Sequence, residues 1–184
     1  VRIGYKPFIV GPFHLHNLKK EGCEIERDEV TEGKGFPVTG FIQRLLRVAG
    51  ISCVGRTVVA IDLSFVPVYA PFLSCIGSFR SLVRLNFSGC GFSGELPDAW
   101  GNLQHLQYLD LSNNQLTGVL PVSLYGLKML KEMVLDRNLF SGQFSSAIGQ
   151  LQHLKKLSIS VNSISGALPL ELDSLQNLEF LDFR

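Results

Sequence analysis

The sequence predicts an α/β solenoid, with short parallel strands along a concave face and 3-10 or irregular segments returning along the convex side. Three observations carry that expectation. Leucine is concentrated: 29 occur in the 184 residues, and 23 of them lie in 82–184. Leu82, Leu106, Leu130, Leu154 and Leu178 stand 24 residues apart without slippage. Glycine keeps the same period at Gly94, Gly118, Gly142 and Gly166. Self-similarity at a fixed period of this size marks stacked repeat architectures.

Each column of the repeat has a physical task. Three residues after the first leucine come Leu85, Leu109, Met133, Leu157 and Leu181, and two further on Phe87, Leu111, Leu135, Ile159 and Phe183. Side chains of a strand alternate between faces, so these point inward and the residues between them face outward. Next come Cys90, Asn114, Asn138 and Asn162. Asparagine bonds neighbouring backbone readily, so successive amides form a buried ladder. The glycine column accepts backbone angles that a Cβ opposes. Pro97, Pro121 and Pro169, with Ser145 in the same column, fix the return segment. Trp100, Leu124, Ile148 and Leu172, then Leu103, Leu127, Leu151 and Leu175, close the core. A weaker first unit puts Val58, Ile61, Leu63, Ile76 and Phe79 on inward columns, with Val66, Ala70 and Leu73 replacing Asn, Gly and Pro. One unit alone buries too little to fold, so its neighbours must complete it. These columns define leucine-rich repeats: five from 58 to 177 and a truncated sixth ending at Arg184.

Written out over 106–121, the pattern is Leu-x-x-Leu-x-Leu-x-x-Asn-x-Leu-x-Gly-x-Leu-Pro. It resembles the plant-specific class of 24-residue leucine-rich repeats found in ectodomains of receptor-like kinases. More narrowly, Val58-Val59-Ala60-Ile61-Asp62-Leu63-Ser64, Tyr69-Ala70-Pro71-Phe72, Cys75-Ile76-Gly77 and the stretch 81–97 with Asn86-Phe87-Ser88-Gly89-Cys90-Gly91 resemble the multiple-sporocyte and excess-microsporocytes receptor kinases of grasses and their relatives. The resemblance covers about 28–184. It implies a parent protein with a single membrane span, a cytoplasmic Ser/Thr kinase absent from this chain, and an ectodomain at the extracellular face of the plasma membrane. It further implies a small secreted cysteine-rich protein or peptide ligand, a possible co-receptor kinase, and a role in anther cell fate. A secreted or membrane-anchored inhibitor or defence protein of the polygalacturonase-inhibitor type shares the repeat form and is the alternative.

Ectodomains of this class begin with a cap carrying Cys-x-Trp-x-Gly-(Ile/Val)-x-Cys. Gly50-Ile51-Ser52-Cys53 matches its end, but Leu46 and Val48 replace the first Cys and the Trp, so 28–57 reads as a damaged cap. One codon choice for 37–49, read two bases later, gives Cys-Asn-Trp-Phe-His-Ser-Glu-Thr-Pro-Pro-Cys-Ser-Trp, which resembles the family's cap. We therefore expect 37–49 to be translated out of frame; independent transcripts with an unbroken frame there would end that reading. Residues 1–27 match no known pattern and are expected to have low order. The chain starts at Val1 without a signal-peptide layout and reads as a fragment or a faulty gene model.

Charge excludes little by itself. Lys and Arg number 17 against 16 acidic residues, a net charge of +1, with no global pull toward nucleic acid. No apolar run reaches 18 residues, so no membrane span is expected. Gly89-Cys90-Gly91-Phe92-Ser93-Gly94 fits Gly-x-Gly-x-x-Gly, but Gly94 belongs to the repeat column and no βαβ unit surrounds it. His105 and His153 occupy one column two units apart, too distant to share a metal. His14 and His16 lie in the doubtful first segment. No cofactor and no catalytic constellation is expected. Cys90 reads as a buried free thiol. Cys53 and Cys75 read as unpaired, pairing only if the cap brings them close. The candidate protein-binding surface is the concave row, with Arg84, Tyr108, Asp110, Glu132, Asp136, Arg137 and Lys156 as its residues. Tyr108 with Asp136 and Arg137 is the part most like an interface, an aromatic among charges. Asn86 begins the sequon Asn86-Phe87-Ser88 and is a candidate glycosylation site.

Overall fold

A computed structural model describes residues 50–55, 57–69, 71–72 and 74–184. Residues 1–27, most of the expected cap including the stretch 37–49 expected to be out of frame, His14 and His16 lie outside the described residues, as do Ala70 and Leu73. The strands are β1 (Ile51–Val54), β2 (Thr57–Asp62), β3 (Arg84–Asn86), β4 (Ser93–Glu95), β5 (Tyr108–Asp110), β6 (Gln115–Gly118), β7 (Glu132–Val134), β8 (Leu139–Gln143), β9 (Lys156–Ser158), β10 (Ser163–Ser165) and β11 (Phe180–Asp182). Among the described residues the concave sheet has seven strands in the order β1-β2-β3-β5-β7-β9-β11.

From β2 onward its pairing is parallel and advances by one repeat per strand. Ile61 stands beside Leu85, Leu85 beside Leu109, Leu109 beside Met133, Met133 beside Leu157, and Leu157 beside Leu181. The inward columns are buried as the alternation requires: Leu85, Leu109, Met133 and Leu157 have no exposure, whereas Leu181 on the last strand is 44% exposed. The difference is the neighbour, because a rung is covered only when another stacks on it. At the opposite edge β1 pairs antiparallel with β2 and covers the backbone that would otherwise be open. Cys53, in β1, corrects an expectation. It is disulfide-bonded rather than unpaired, to a partner outside the described side chains.

The convex side is more regular than expected. Short 3-10 turns occupy Ser74–Ser78, Trp100–Asn102, Val122–Gly126, Ser146–Gln150 and Leu170–Ser174. Pro121 and Pro169 enter their turns at φ −66° and −68°. Ser145 enters at φ −79° and uses its hydroxyl to accept from the Ala147 N–H, a local bond in place of a ring. Between the concave strands and these turns runs a second parallel sheet, β4-β6-β8-β10. Its register steps by 22 residues, with Gly94 beside Leu116 and Gly118 beside Phe140. Gly94, Gly118 and Gly142 lie in these strands at φ between 76° and 82°. Read locally, that glycine column signals a turn; pairing arises only because stacking places identical backbone alongside.

The asparagine column holds the rungs together. Asn138 Oδ1 accepts from Leu116 N–H at 3.0 Å, while its Nδ2 donates to Leu111 C=O at 2.9 Å, Leu135 C=O at 3.1 Å and Asp136 C=O at 3.3 Å. Asn114 and Asn162 repeat the pattern on Phe92 and Phe87, and on Phe140 and Leu135. Each amide thus satisfies a donor and an acceptor on the preceding rung, so the ladder runs through backbone rather than from Asn to Asn. Cys90 supplies only the donor half, with Sγ on Leu63 C=O at 3.0 Å. The Val68 N–H goes to the Cys90 carbonyl instead. Cys90 is a buried free thiol, and burial is the main cause pushing its pKa up to about 11. At the first rung an aromatic cluster fills the core, with Phe72 and Phe92 centroids 5.4 Å apart and Trp100 5.6 Å from Phe72.

One column turns left-handed beyond the ends of β2, β3, β5, β7 and β9: Phe65 (φ 60°), Gly89 (66°), Asn113 (55°), Arg137 (53°) and Val161 (55°). Glycine and asparagine tolerate this conformation, but a β-branched side chain does not. Val161 is 59% exposed, so little packing compensates. Replacing Val161 with Asn is expected to stabilise the chain by about 1 kcal/mol and to raise its melting temperature by about 2–4 °C, read by thermal denaturation. A lower melting temperature for V161N would contradict the strain.

Candidate protein-binding face

The parallel register brings one residue of each strand into a transverse row on the concave face. Arg84 lies beside Tyr108, Tyr108 beside Glu132, Glu132 beside Lys156 and Lys156 beside Phe180. Four of the expected contact residues therefore stand on consecutive rungs, which are about 4.8 Å apart. The Arg84 guanidinium lies 3.7 Å from the Tyr108 ring centroid, a cation–π contact that flattens both side chains along the sheet. The Lys156 ammonium stands 5.5 Å from the Phe180 ring centroid. Glu132 is half-buried between Tyr108 and Lys156.

The next row is more enclosed than a polar surface strip. The Tyr108 hydroxyl donates to Asp110 Oδ2 at 3.2 Å, and Asp110 Oδ1 accepts from the Ser112 N–H at 2.9 Å and the Ser112 hydroxyl at 2.7 Å. Burial, followed by the Asp110 charge, pushes the Tyr108 pKa up to about 12. The phenol thus stays a neutral donor throughout the physiological range. Asp62 and Asn86 occupy the equivalent position on earlier rungs and accept from the Ser64 and Ser88 N–H groups. For Asp62 the largest effect is burial, which raises the pKa. The Ser64 and Asn86 hydrogen bonds and the Arg84 charge outweigh it, and the net direction is down.

Two candidate residues turn out to be tied into the fold. Asp136 Oδ1 accepts from Ser158 Oγ at 2.8 Å, Ser160 N–H at 2.7 Å and Ser160 Oγ at 2.9 Å. It stands in for the carboxylate that β9 lacks, because Ser158 occupies the position held by Asp110 on β5. Asn86 is 9% exposed, and its Nδ2 donates to Asp62 Oδ2 at 3.2 Å. A glycan on that nitrogen would displace this bond and have to emerge from a covered side chain. Arg137 is exposed but sits beyond the strand end, in the left-handed column. Tyr108 is thus joined to Arg84 and Asp110 by direct contacts, and not to Asp136 and Arg137. Ser88, Ser112, Val134 and Ser158, which also point to this face, are buried at 4–8% exposure because neighbouring rungs overlap them.

The remaining motifs resolve into repeat geometry. Gly89 and Gly91 are covered by the Phe65 and Tyr69 rings, and a strand rather than a helix carries Gly94, so no phosphate-cradling turn forms. His105 and His153 are exposed, with His153 Nδ1 3.0 Å from Lys128 C=O. Among the described residues, no group of His, Cys, Asp and Glu is arranged to hold a metal, and no helix is long and apolar enough to cross a membrane.

Comparison with known proteins agrees with this geometry. Two family models described as leucine-rich repeat match residues 80–140 and 153–175. Over 72 residues the chain is 69% identical to the leucine-rich repeat receptor protein kinase MSP1 of Oryza sativa subsp. japonica, covering 38% of this chain and 6% of that protein. Over 71 residues it is 63% identical to MSL1 of the same organism, covering 38% of this chain and 5% of the relative. These matches thus span only a small part of the relatives' length. Among solved structures, the plant peptide hormone receptor RGFR1 in complex with RGF2 superposes with a TM-score of 0.65 at 32% identity, over 71% of this chain and 20% of that one. Repeat register, matched models and relatives agree: the chain is a leucine-rich repeat solenoid of the kind found in plant receptor kinases, similar over 72 residues to MSP1 and over 71 to MSL1.

Proposed function

We propose that this chain is part of the extracellular ligand-recognition region of a receptor-like Ser/Thr kinase that signals cell fate in anther development. It offers the concave face to a small secreted cysteine-rich protein or a peptide and performs no chemistry itself. A co-receptor kinase completes the signalling complex, and the parent protein lies in the plasma membrane. The observation that carries this reading is the 69% identity to MSP1 over 72 residues. The solved complex of RGFR1 with RGF2 supports a protein or peptide ligand for this fold.

Within the chain, the Arg84–Tyr108–Asp110 stack is the anchor. It combines a flat aromatic, an arginine and a carboxylate already held in place, so little side-chain entropy remains to be lost on binding. Purified small secreted cysteine-rich proteins and peptides of anther tissue, assayed by biolayer interferometry against the chain, test the proposal. At least one is expected to bind the natural chain and to bind Tyr108→Ala about tenfold more weakly, with both chains giving the same far-UV spectrum. Failure of the whole panel to bind, or equal binding by Tyr108→Ala, would contradict it.

A further inference from the structure

The near-zero net charge conceals a sharp division. From Thr57 onward, Arg84 and Lys156 lie in concave strands, Lys131, Arg137, Lys155 and Arg184 within three residues of one, and Arg80 and Lys128 in the turns entering β3 and β7, whereas the return segments from β4, β6, β8 and β10 through the 3-10 turns that follow them contain none. Those segments carry Glu95, Asp98, Glu171 and Asp173 instead. On the concave side the basic residues are divided again. Arg80, Arg84, Lys128, Lys131, Lys155 and Lys156 occupy the beginnings of the strands and the turns entering them. Asp62, Asp110 and Asp182 occupy the ends of the strands and Asp136 lies two residues beyond β7, with Arg137 near Asp136 and Arg184 near Asp182. From Thr57 onward eight basic and ten acidic residues are thus sorted into a basic strip, an acidic strip and an acidic back.

The register aligns the basic residues of β3, β7 and β9 along one side of the sheet, with the β5 rung, which carries no Lys or Arg, between Arg84 and Lys131. Lys131 N–H donates to Gln107 C=O, Lys155 N–H to Lys131 C=O and Glu179 N–H to Lys155 C=O, so these residues stack rung on rung. Arg80, Lys128, Lys131 and Lys155 are exposed. Only two acids interrupt the strip. Glu132 is half-buried beside Tyr108, and Glu179 is engaged by the Lys155 ammonium at 2.9 Å. Lys128 and Lys131 have no carboxylate within ion-pair distance among the described residues. A one-signed strip raises the local concentration of its counter-charge and fixes the orientation of a partner.

We propose that the strand-start strip of the concave face docks an acidic segment of the protein ligand, laid across the rungs from β3 to β9. The inference rests on the reading above that the ligand is a protein or peptide, and it adds that ligand's chemistry. Three inter-strand steps span about 14 Å, or about four residues of extended chain. The fitting segment is therefore a short run of Asp and Glu, its neighbouring residues reaching Tyr108. The strip that carries the strand-end carboxylates repels the same segment and sets its position to one side.

Fluorescein-labelled hexaglutamate, hexalysine and hexagalacturonate, titrated against the full chain by fluorescence anisotropy at low ionic strength, test this. Hexaglutamate is expected to bind more tightly than either of the others, and to weaken steeply with added salt. The doubly reversed variant Lys131→Glu/Lys155→Glu is expected to lose at least tenfold in affinity, and Lys131→Gln/Lys155→Gln at least threefold. Glu171→Gln/Asp173→Asn on the convex side should change it less than twofold. Circular dichroism checks that each variant is folded, and the neutral pair serves if charge reversal perturbs the fold. No binding of hexaglutamate, binding indifferent to both lysine pairs, or tighter binding of hexagalacturonate would overturn the proposal. A protein ligand that needs Tyr108 but ignores Lys131 and Lys155 would overturn only this inference. Acidic-peptide binding without any Tyr108-dependent protein ligand would instead count against the proposed function.

Discussion

The constraint on which everything else depends is the hydrogen-bonding of one buried amide per repeat. A 24-residue coil turn carries polar backbone through the protein interior, and unpaired buried N–H and C=O groups are costly. Asn114, Asn138 and Asn162 each join a donor and acceptor of the preceding rung to carbonyls of their own. That bond set fixes the distance between rungs and locks their register. Once register is fixed, the inward leucines stack into one core and the outward residues line up into transverse rows. Cys90 marks the tolerance of the system. A thiol supplies half of the bond set, and a backbone carbonyl supplies the other half.

The candidate face follows from that register rather than from any local motif. Arg84 and Tyr108 are 24 positions apart in the chain yet stack at 3.7 Å. Asp136 braces Ser158 and Ser160 from the rung before. Such contacts between successive repeats stiffen the face before any ligand arrives. The same register gathers charges scattered along the chain into separate basic and acidic strips, a distribution that electrostatic steering can use.

Much of the fold was legible in the sequence because its signals are periodic. Leucine, asparagine and glycine columns each repeat without slippage, so strand positions, inward faces and the weak first unit from Val58 to Phe79 could be placed residue by residue. The second sheet was not legible. Gly94, Gly118 and Gly142 signal turns locally, and their pairing depends on the neighbouring repeat rather than on their own propensity. The candidate face was legible in part. The alternation identified Arg84, Tyr108, Glu132 and Lys156 as outward, but could not reveal that Asp136 is committed to two serines or that Asn86 is covered by its neighbours. Its grouping of Tyr108 with Asp136 and Arg137 gave way to Arg84 and Asp110, because ring stacking favours the residue directly across the strand pair. The disulfide at Cys53 was missed because no repeat column predicts a cap cysteine's partner.

The claim that the asparagine ladder holds the rungs is tested most directly at Asn138, 5% exposed and bonded on both sides. Substituting leucine keeps the volume and removes the bonds, stranding the Leu116 N–H and leaving the Leu111 carbonyl with the Asn114 amide alone. Urea denaturation of Asn138→Leu, combined with amide hydrogen exchange, is expected to show a loss of about 3 kcal/mol and markedly faster exchange at Leu116. Stability within about 1 kcal/mol of the natural chain, with Leu116 as protected as before, would contradict it.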